Sequence, residues 1–319
     1  MNLEYKSNFN FEVSEPKQKN NIVFFALSSM EKTHDDFLSF PTALNKNLVD
    51  VEEVNNKGFI GKLKITNKSN QKLLILDSEN VLGTRIRQNR VVSTTVLISE
   101  YASILIPVFC SEQNRWSSSL SQEDIKVSES LYFSKGRENN FSDIYHSNSK
   151  QTNQHERWSE ISDKLDEFKT KSFTSSIDEI YKKRKSNIEE IVRQLQPEKN
   201  QVGVALGIGS RLVSLDIFSS NEMFKIYLPR LIRSTALDSF KKTYYKSCLK
   251  KKDVHKILRL VKESSKQIHQ VVPGSLGNEI RFNNELISGS MLCYKDKIVH
   301  FSVFLKEQEA KPEYEYEVA

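Results

Sequence analysis

The runs Val91-Val92-Ser93-Thr94-Thr95-Val96-Leu97-Ile98 and Ile104-Leu105-Ile106-Pro107-Val108-Phe109 decide how this chain is read. Both are rich in β-branched residues and only a short segment separates them, so together they predict an antiparallel hairpin. Each run carries a polar cluster on its outer shoulder. Arg85-Ile86-Arg87-Gln88-Asn89-Arg90 precedes the first, and Cys110-Ser111-Glu112-Gln113-Asn114-Arg115-Trp116 follows the second. The open end of the hairpin would bring both clusters to one sheet end. Guanidinium, amide and carboxylate groups crowded there suit an anionic or nucleotide-like ligand.

Outward from this hairpin, Ile22-Val23-Phe24-Phe25-Ala26-Leu27 and Leu73-Leu74-Ile75-Leu76 read as buried strands. With Val51, Val54, Phe59, Leu63 and Ile65 they extend a mostly antiparallel β unit over residues 21–116, and residues 42–47 suit a short helix. Residues 1–20 are polar and read as a flexible segment, although Phe9, Phe11 and Val13 alternate like an edge strand. Residues 134–156 carry the polar runs Ser134-Lys135-Gly136-Arg137-Glu138-Asn139-Asn140 and His146-Ser147-Asn148-Ser149-Lys150-Gln151 and read as a mobile loop or a lid.

A helical pair is expected over 157–197. Trp158, Ile161, Leu165 and Phe168 form one stripe, and Ile177, Ile180, Tyr181, Ile188, Ile191, Val192 and Leu195 form the second. The second helix opens near Ser175-Ser176-Ile177-Asp178, close to a capping box, and closes before Pro197. Residues 202–208 and 212–218 predict another hairpin around Gly209-Ser210. Gly207-Ile208-Gly209 is also a weak phosphate-loop signal, but no helix follows it directly, which favours the turn. Helices are expected over 221–251, kinked or broken at Pro229, and over 254–271. Strands follow at 279–282, 286–294 and 297–304. The expected fold class is α+β: a mostly antiparallel β core with an inserted helical hairpin and further C-terminal helices. It would form a single domain over 21–305, with an acidic tail at 306–319.

The chain has 319 residues, 28% charged and 38% hydrophobic, proportions typical of a globular protein rather than a disordered one. Its net charge of +6 is the small difference between 47 basic and 41 acidic residues. The densest basic runs, Lys182-Lys183-Arg184-Lys185 and Lys250-Lys251-Lys252, read as solvated helix faces, so a nucleic-acid partner is not favoured. The three cysteines are odd in number and widely spaced, which offers neither a disulfide framework nor a CxxC site. The N-terminus lacks a signal-type apolar core, and no run approaches the roughly 18 apolar residues of a spanning helix. A reducing cytoplasm is the expected setting, with no membrane partner.

Among individual residues, Arg87, Arg90 and Arg115 are the expected anion ligands. They would repel one another unless a ligand or the carboxylates of Glu79 and Glu112 neutralised them. Trp116 offers a stacking face. Cys110 could be a nucleophile, but a cysteine closing an apolar run is more often a small buried hydrophobe. The six histidines show no metal-ligand spacing, so neither a metal nor a cofactor is assigned. His300 reads as structural or exposed. Asp216, embedded in Leu215-Asp216-Ile217-Phe218, must find a cation if it is buried, and Arg211 and Arg233 are the candidates.

Four segments resemble a known family: residues 79–90 ending in Gln88-Asn89-Arg90; Ile106-Pro107-Val108 with Cys110-Ser111-Glu112-Gln113-Asn114-Arg115-Trp116; Gln201-Val202-Gly203 with Leu215-Asp216-Ile217-Phe218; and Arg233-Ser234-Thr235-Ala236-Leu237-Asp238. The resemblance is to the ARG- and rhodanese-phosphatase-superfamily-associated protein domain family, ARG standing for ADP-ribosylglycohydrolase, and it spans about residues 20 to 305. Asn114 stands where the family often has glycine before Arg-Trp. The resemblance implies a link to ADP-ribose or phosphoester metabolism, in prokaryotic stress or immunity, and carries over no agreed catalytic residues.

Two readings stay open. In the first, the chain is an enzyme or enzyme component for an ADP-ribose-type molecule. Arg87, Arg90 and Arg115 hold phosphates, Glu112 or Glu79 acts as general acid/base, Gln88, Asn89, Gln113 and Asp216 complete the site, and Trp116 stacks. In the second, it is a non-catalytic sensing or interaction module. Its polar cluster is then structural, and its helices form a homo-oligomer interface through Ile180, Ile188 and Ile191.

Overall fold

A computed structural model describes residues 11–29, 36–54, 61–83, 88–113, 125–146, 153–240, 246–264, 266–270 and 272–307. Ile22–Ser29 shows how the apolar runs act. Ile22, Phe24 and Ala26 enter one hydrophobic cluster while Val23, Phe25 and Leu27 enter another on the opposite face. A strand buried on both faces needs no polar alternation, so its sequence is continuously apolar.

That strand lies in a nine-stranded sheet ordered Phe11–Val13, Ile22–Ser29, Gln201–Ile208, Arg211–Phe218, Lys297–Leu305, Ile287–Tyr294, Asn278–Asn283, Lys266–Gln270, with Lys17–Lys19 also paired to Ile22–Ser29. A six-stranded sheet runs Lys126–Leu131, Glu79–Leu82, Arg90–Val92, Ser103–Cys110, Lys62–Asn67, Val49–Glu53, and a three-stranded sheet joins Val96–Ile98, Leu73–Ile75 and Leu38–Ser39. Among the described residues all strand pairings are antiparallel except Leu38–Ser39 on Leu73–Ile75. The fold is α+β.

Helix Asn221–Ser239 fills the main core between the larger sheets with Met223, Phe224, Tyr227, Leu228, Leu231 and Ile232, and it runs through Pro229 unbroken. Helix Lys251–Glu263 covers the far face of the nine-stranded sheet with Val254, Ile257, Leu258 and Val261. No helix among the described residues is long and apolar enough to cross a membrane.

Several expectations change. The polar stretch 134–156 is not a loop throughout: Ser134–His146 is a helix that buries Gly136, Arg137, Asn140, Phe141 and Ile144. Inside the segment read as flexible, Phe11–Val13 pairs at the sheet edge as its alternation suggested, and Lys17–Lys19 is a further strand. The helix expected over 254–271 ends at Glu263, and Lys266–Gln270 pairs with Asn278–Asn283 as a strand. Helix Asn221–Ser239 stops well before residue 251. The second helix of the 157–197 pair divides into Asp178–Lys183 and Lys185–Gln194, with Arg184 between them.

The central hairpin is half realised. Val91 and Val92 pair with Phe109 and Val108, but Val96–Ile98 departs to Leu73–Ile75 in the three-stranded sheet. Ser93, Thr94 and Thr95 make the departure and are buried. Thr94 and Thr95 donate to the carboxylates of Glu279 and Asp77, polar partners that a straight hairpin would not reach. Ile180, Ile188 and Ile191, required by the oligomer reading, are at most 2% exposed and belong to the chain's own core, which corrects that surface.

Candidate functional site

The two polar clusters do meet. Arg90 stands directly opposite Cys110 in the antiparallel ladder, and one step beyond the strands the Asn89 N–H donates to Glu112 Oε1 at 2.6 Å. Arg90 Nη1 donates to the Gln88 carbonyl at 3.2 Å, to Gln88 Oε1 at 3.3 Å and to Cys110 Sγ at 3.1 Å, while its Nη2 meets Glu53 Oε1 at 3.3 Å. The Cys110 thiol donates to Gln88 Oε1 at 2.9 Å, and Gln88 Nε2 donates to the Gln113 carbonyl at 2.9 Å. The strand end is therefore one connected network of guanidinium, amide, thiol and carboxylate groups. Gln88, Arg90 and Glu112 are at most 2% exposed, whereas the Gln113 side chain faces solvent.

Burial pushes the Cys110 thiol up to about 11, beyond what the adjacent Arg90 charge offsets, so this cysteine is no ready nucleophile. Arg87, Arg115 and Trp116 lie outside the described residues.

Helix Gln154–Glu167 closes the network from above. Gln154 treats Cys110 as a strand neighbour would, accepting from its N–H at 2.7 Å and donating to its carbonyl at 3.1 Å. A single peptide unit is then held from both ends: Trp158 Nε1 donates to the Glu112 carbonyl at 3.3 Å, and the Gln113 N–H donates to the Thr174 carbonyl at 2.9 Å.

Glu79 and Asp216 lie elsewhere. Along Glu79–Leu82 the side chains alternate, so Asn80 accepts from Ser111 Oγ at 2.8 Å while Glu79 turns to the other face and pairs with Arg230 at 3.0 Å. Burial raises the Glu79 carboxyl pKa against the pull of Arg230. Glu79 is thus a partner of helix Asn221–Ser239, while Arg90 takes Glu53 as its carboxylate.

Asp216 does have its cation, but neither Arg211 nor Arg233 supplies it. Arg211 reaches Glu307 at 3.1 Å and Arg233 reaches Glu189 at 2.7 Å. Arg137 comes down from helix Ser134–His146, donating from Nη2 to Asp216 Oδ1 at 3.0 Å and to Asp77 Oδ2 at 3.2 Å. His300 sits between the same two acids, with Nε2 3.5 Å from Asp216 Oδ1 and Nδ1 3.8 Å from Asp77 Oδ1, and its Nδ1 is 3.2 Å from Thr95 Oγ1. Burial alone would raise the Asp216 carboxyl, but the Arg137 charge and His300 outweigh it and hold it below its ordinary 3.8. A third buried pair, Arg281 with Glu279 at 3.0 Å, continues this network through Thr94.

Sequence reasoning found Asp216 but missed Arg137, Asp77 and His300 as a unit. The available signal was Asp77, a carboxylate closing the apolar run 73–76.

A cleft of about 400 Å³ opens between helices Ser134–His146 and Gln154–Glu167, lined by Asn139, Asp143, Glu156, Arg157, Glu160 and others. Arg157 is buried and forks to Asp143 at 2.9 Å and Glu160 at 3.0 Å. Burial pushes the Glu160 carboxyl up to about 7. No group of three or more metal-ligating side chains is assembled among the described residues.

A family model described as the ARG and Rhodanese-Phosphatase-superfamily-associated Protein domain matches residues 10–304. No curated protein and no solved structure matches the chain.

Proposed function

The chain belongs to the ARG and Rhodanese-Phosphatase-superfamily-associated Protein domain family, and from that premise we propose that it binds a phosphorylated, nucleotide-like molecule of the ADP-ribose type at the strand end joining residues 88–90 to 110–113. The observation that supports this most is the Arg90–Cys110 pairing with the Asn89-to-Glu112 hydrogen bond, which unites two clusters remote in sequence. Arg87 and Arg115 flank this end in the chain and are proposed to take phosphate oxygens, since guanidinium forks match such anions in shape and charge. Trp116, Gln88, Asn89 and Gln113 complete the proposed ligand set, and Glu112 is the proposed general acid/base.

Thermal unfolding with ADP-ribose, NAD and inorganic phosphate tests this reading. A ligand at about 100 times its Kd adds roughly 2.7 kcal/mol and raises the midpoint by a few degrees. Arg87→Ala and Arg115→Ala are expected to abolish the shift, and Glu112→Gln to stop turnover while leaving binding. No shift with any of the three compounds would end the proposal.

Burial favours a second reading, in which Gln88, Arg90, Glu112 and Asp216, each at most 2% exposed, are structural groups of a non-catalytic module. Under that reading Glu112→Gln changes stability but leaves every ligand response intact.

A further inference from the structure

Net charge in this chain is concentrated. Residues 246–266 hold seven lysines and Arg259 against Asp253 and Glu263, a surplus of six that equals the surplus of the whole chain. Outside this stretch 39 basic residues are matched by 39 acidic ones.

Both lysine runs read from the sequence as solvated helix faces, and the structure separates them. The first is spent on the chain itself. Lys182 donates to Glu179 at 2.6 Å, Lys183 to the carbonyls of Phe168 and Lys169 at 3.2 and 2.8 Å, and Lys185 lies 3.6 Å from Glu129. The Arg184 guanidinium covers the rings of Phe168 and Phe240.

The second run opens helix Lys251–Glu263. Val254, Ile257, Leu258 and Val261 bury one side of this helix on the sheet. Lys252, Lys256, Arg259 and Lys262 follow one another at steps of four, three and three residues, so they share the opposite side, and all four are exposed. Lys251 pairs with Glu15 at 3.1 Å, but none of these four has an ion-pair partner among the described residues. Glu263 is the acid that shares their side. Like charges at such steps destabilise a helix, and an anion laid along the row would relieve that repulsion. At 1.5 Å per residue the row from Lys252 to Lys262 is about 15 Å long, a match for about four phosphates along one strand of a duplex at 3.4 Å each.

We propose that this row is a docking surface for the phosphate backbone of a nucleic-acid duplex, bound without regard to sequence. A bilayer fits less well, because the sheet takes the apolar side of the helix and leaves no apolar face to enter the interface.

Fluorescence anisotropy with a labelled mixed-sequence DNA duplex of about 20 base pairs tests the surface. Four neutralised phosphates predict a slope of about −3.6 for log affinity against log salt, and an affinity loss of about 100-fold between roughly 50 and 200 mM. K256E/R259E is expected to weaken binding at least about tenfold at the lower salt and to halve the slope. K182E/K185E makes the same change of net charge on the other run and is expected to bind as wild type. All four positions are exposed, and circular dichroism checks that both variants fold; K256Q/R259Q repeats the test without added acids. No binding by wild type at about 50 mM salt, or equal weakening by the two charge-reversal variants, would overturn the proposal. So would tighter binding to polyglutamate or to phosphatidylserine vesicles than to the duplex.

Discussion

Arg137 donates to Asp216 across 79 residues of chain, at 3.0 Å, with neither side chain more than 1% exposed. This pair ties helix Ser134–His146 to the middle of the nine-stranded sheet, where Asp216 lies between Val204 and Ser302.

Removing the cation strands two buried carboxylates. Arg137→Met is expected to cost about 3–5 kcal/mol, because an unpaired buried charge is worse than no charge at all. Adding Asp77→Asn and Asp216→Asn should return part of that loss, as measured by urea unfolding. The Asp216 carboxyl is depressed in the fold. Its contribution is therefore complete above about pH 3.8 and is lost as pH falls through the lower folded value. A loss below about 1 kcal/mol on Arg137→Met would show the network to be incidental.

Glu160 has the opposite sign. Its carboxyl rises from 4.5 to about 7 in the folded protein. Between those values the folded state keeps a proton the unfolded state has released, so stability falls as pH rises through that window. Glu160→Gln removes the effect. The variant should equal wild type near pH 4 and exceed it by about 1–3 kcal/mol at pH 8, a difference read from paired denaturation curves.

Ile188 lies 2% exposed in the main core. Ile188→Ala is expected to cost about 2–4 kcal/mol through the cavity it leaves. Sedimentation velocity should show an unchanged oligomeric state. A shift in association with little loss of stability would revive the interface assigned to these helices from the sequence.

Cysteine reactivity separates by environment. Cys248 is exposed, whereas burial pushes Cys110 up to about 11 and Cys293 to about 12. Iodoacetamide at pH 8 should modify Cys248 at least about 100-fold faster than the other two, because only the thiolate reacts. Peptide mass spectrometry over time reads this order directly.

The sequence was legible where burial follows from apolar character alone. Ile22–Ser29 and the hairpin of Gln201–Ile208 with Arg211–Phe218 are such cases, the latter helped by Gly209 at φ +61°. Helix Ser134–His146 was not legible, because Arg137 and Asn140 become core residues only through partners remote in the chain, Asp77, Asp216 and the Ser93 carbonyl. A polar stretch gives no local sign of such partners. The same limit explains why Asp216 announced a need for a cation without revealing which one. At the strand end, the pairing of Arg90 with Cys110 was readable from flanking strands, but the closure by Gln154, Trp158 and Thr174 was not, since these contacts end on backbone groups of residues 110–113, which carry no side-chain signature.

The position of Ile22–Ser29 beside Gln201–Ile208 bears on how the chain is made. A ribosome delivers the first strand roughly 180 residues before its long neighbour, an interval of roughly 10–35 s at ordinary elongation rates. For that time Ile22-Val23-Phe24-Phe25-Ala26-Leu27 lacks its long partner strand, and a chaperone that takes extended apolar segments would shield it. Slowed translation between these points should therefore increase aggregation of the newborn polypeptide.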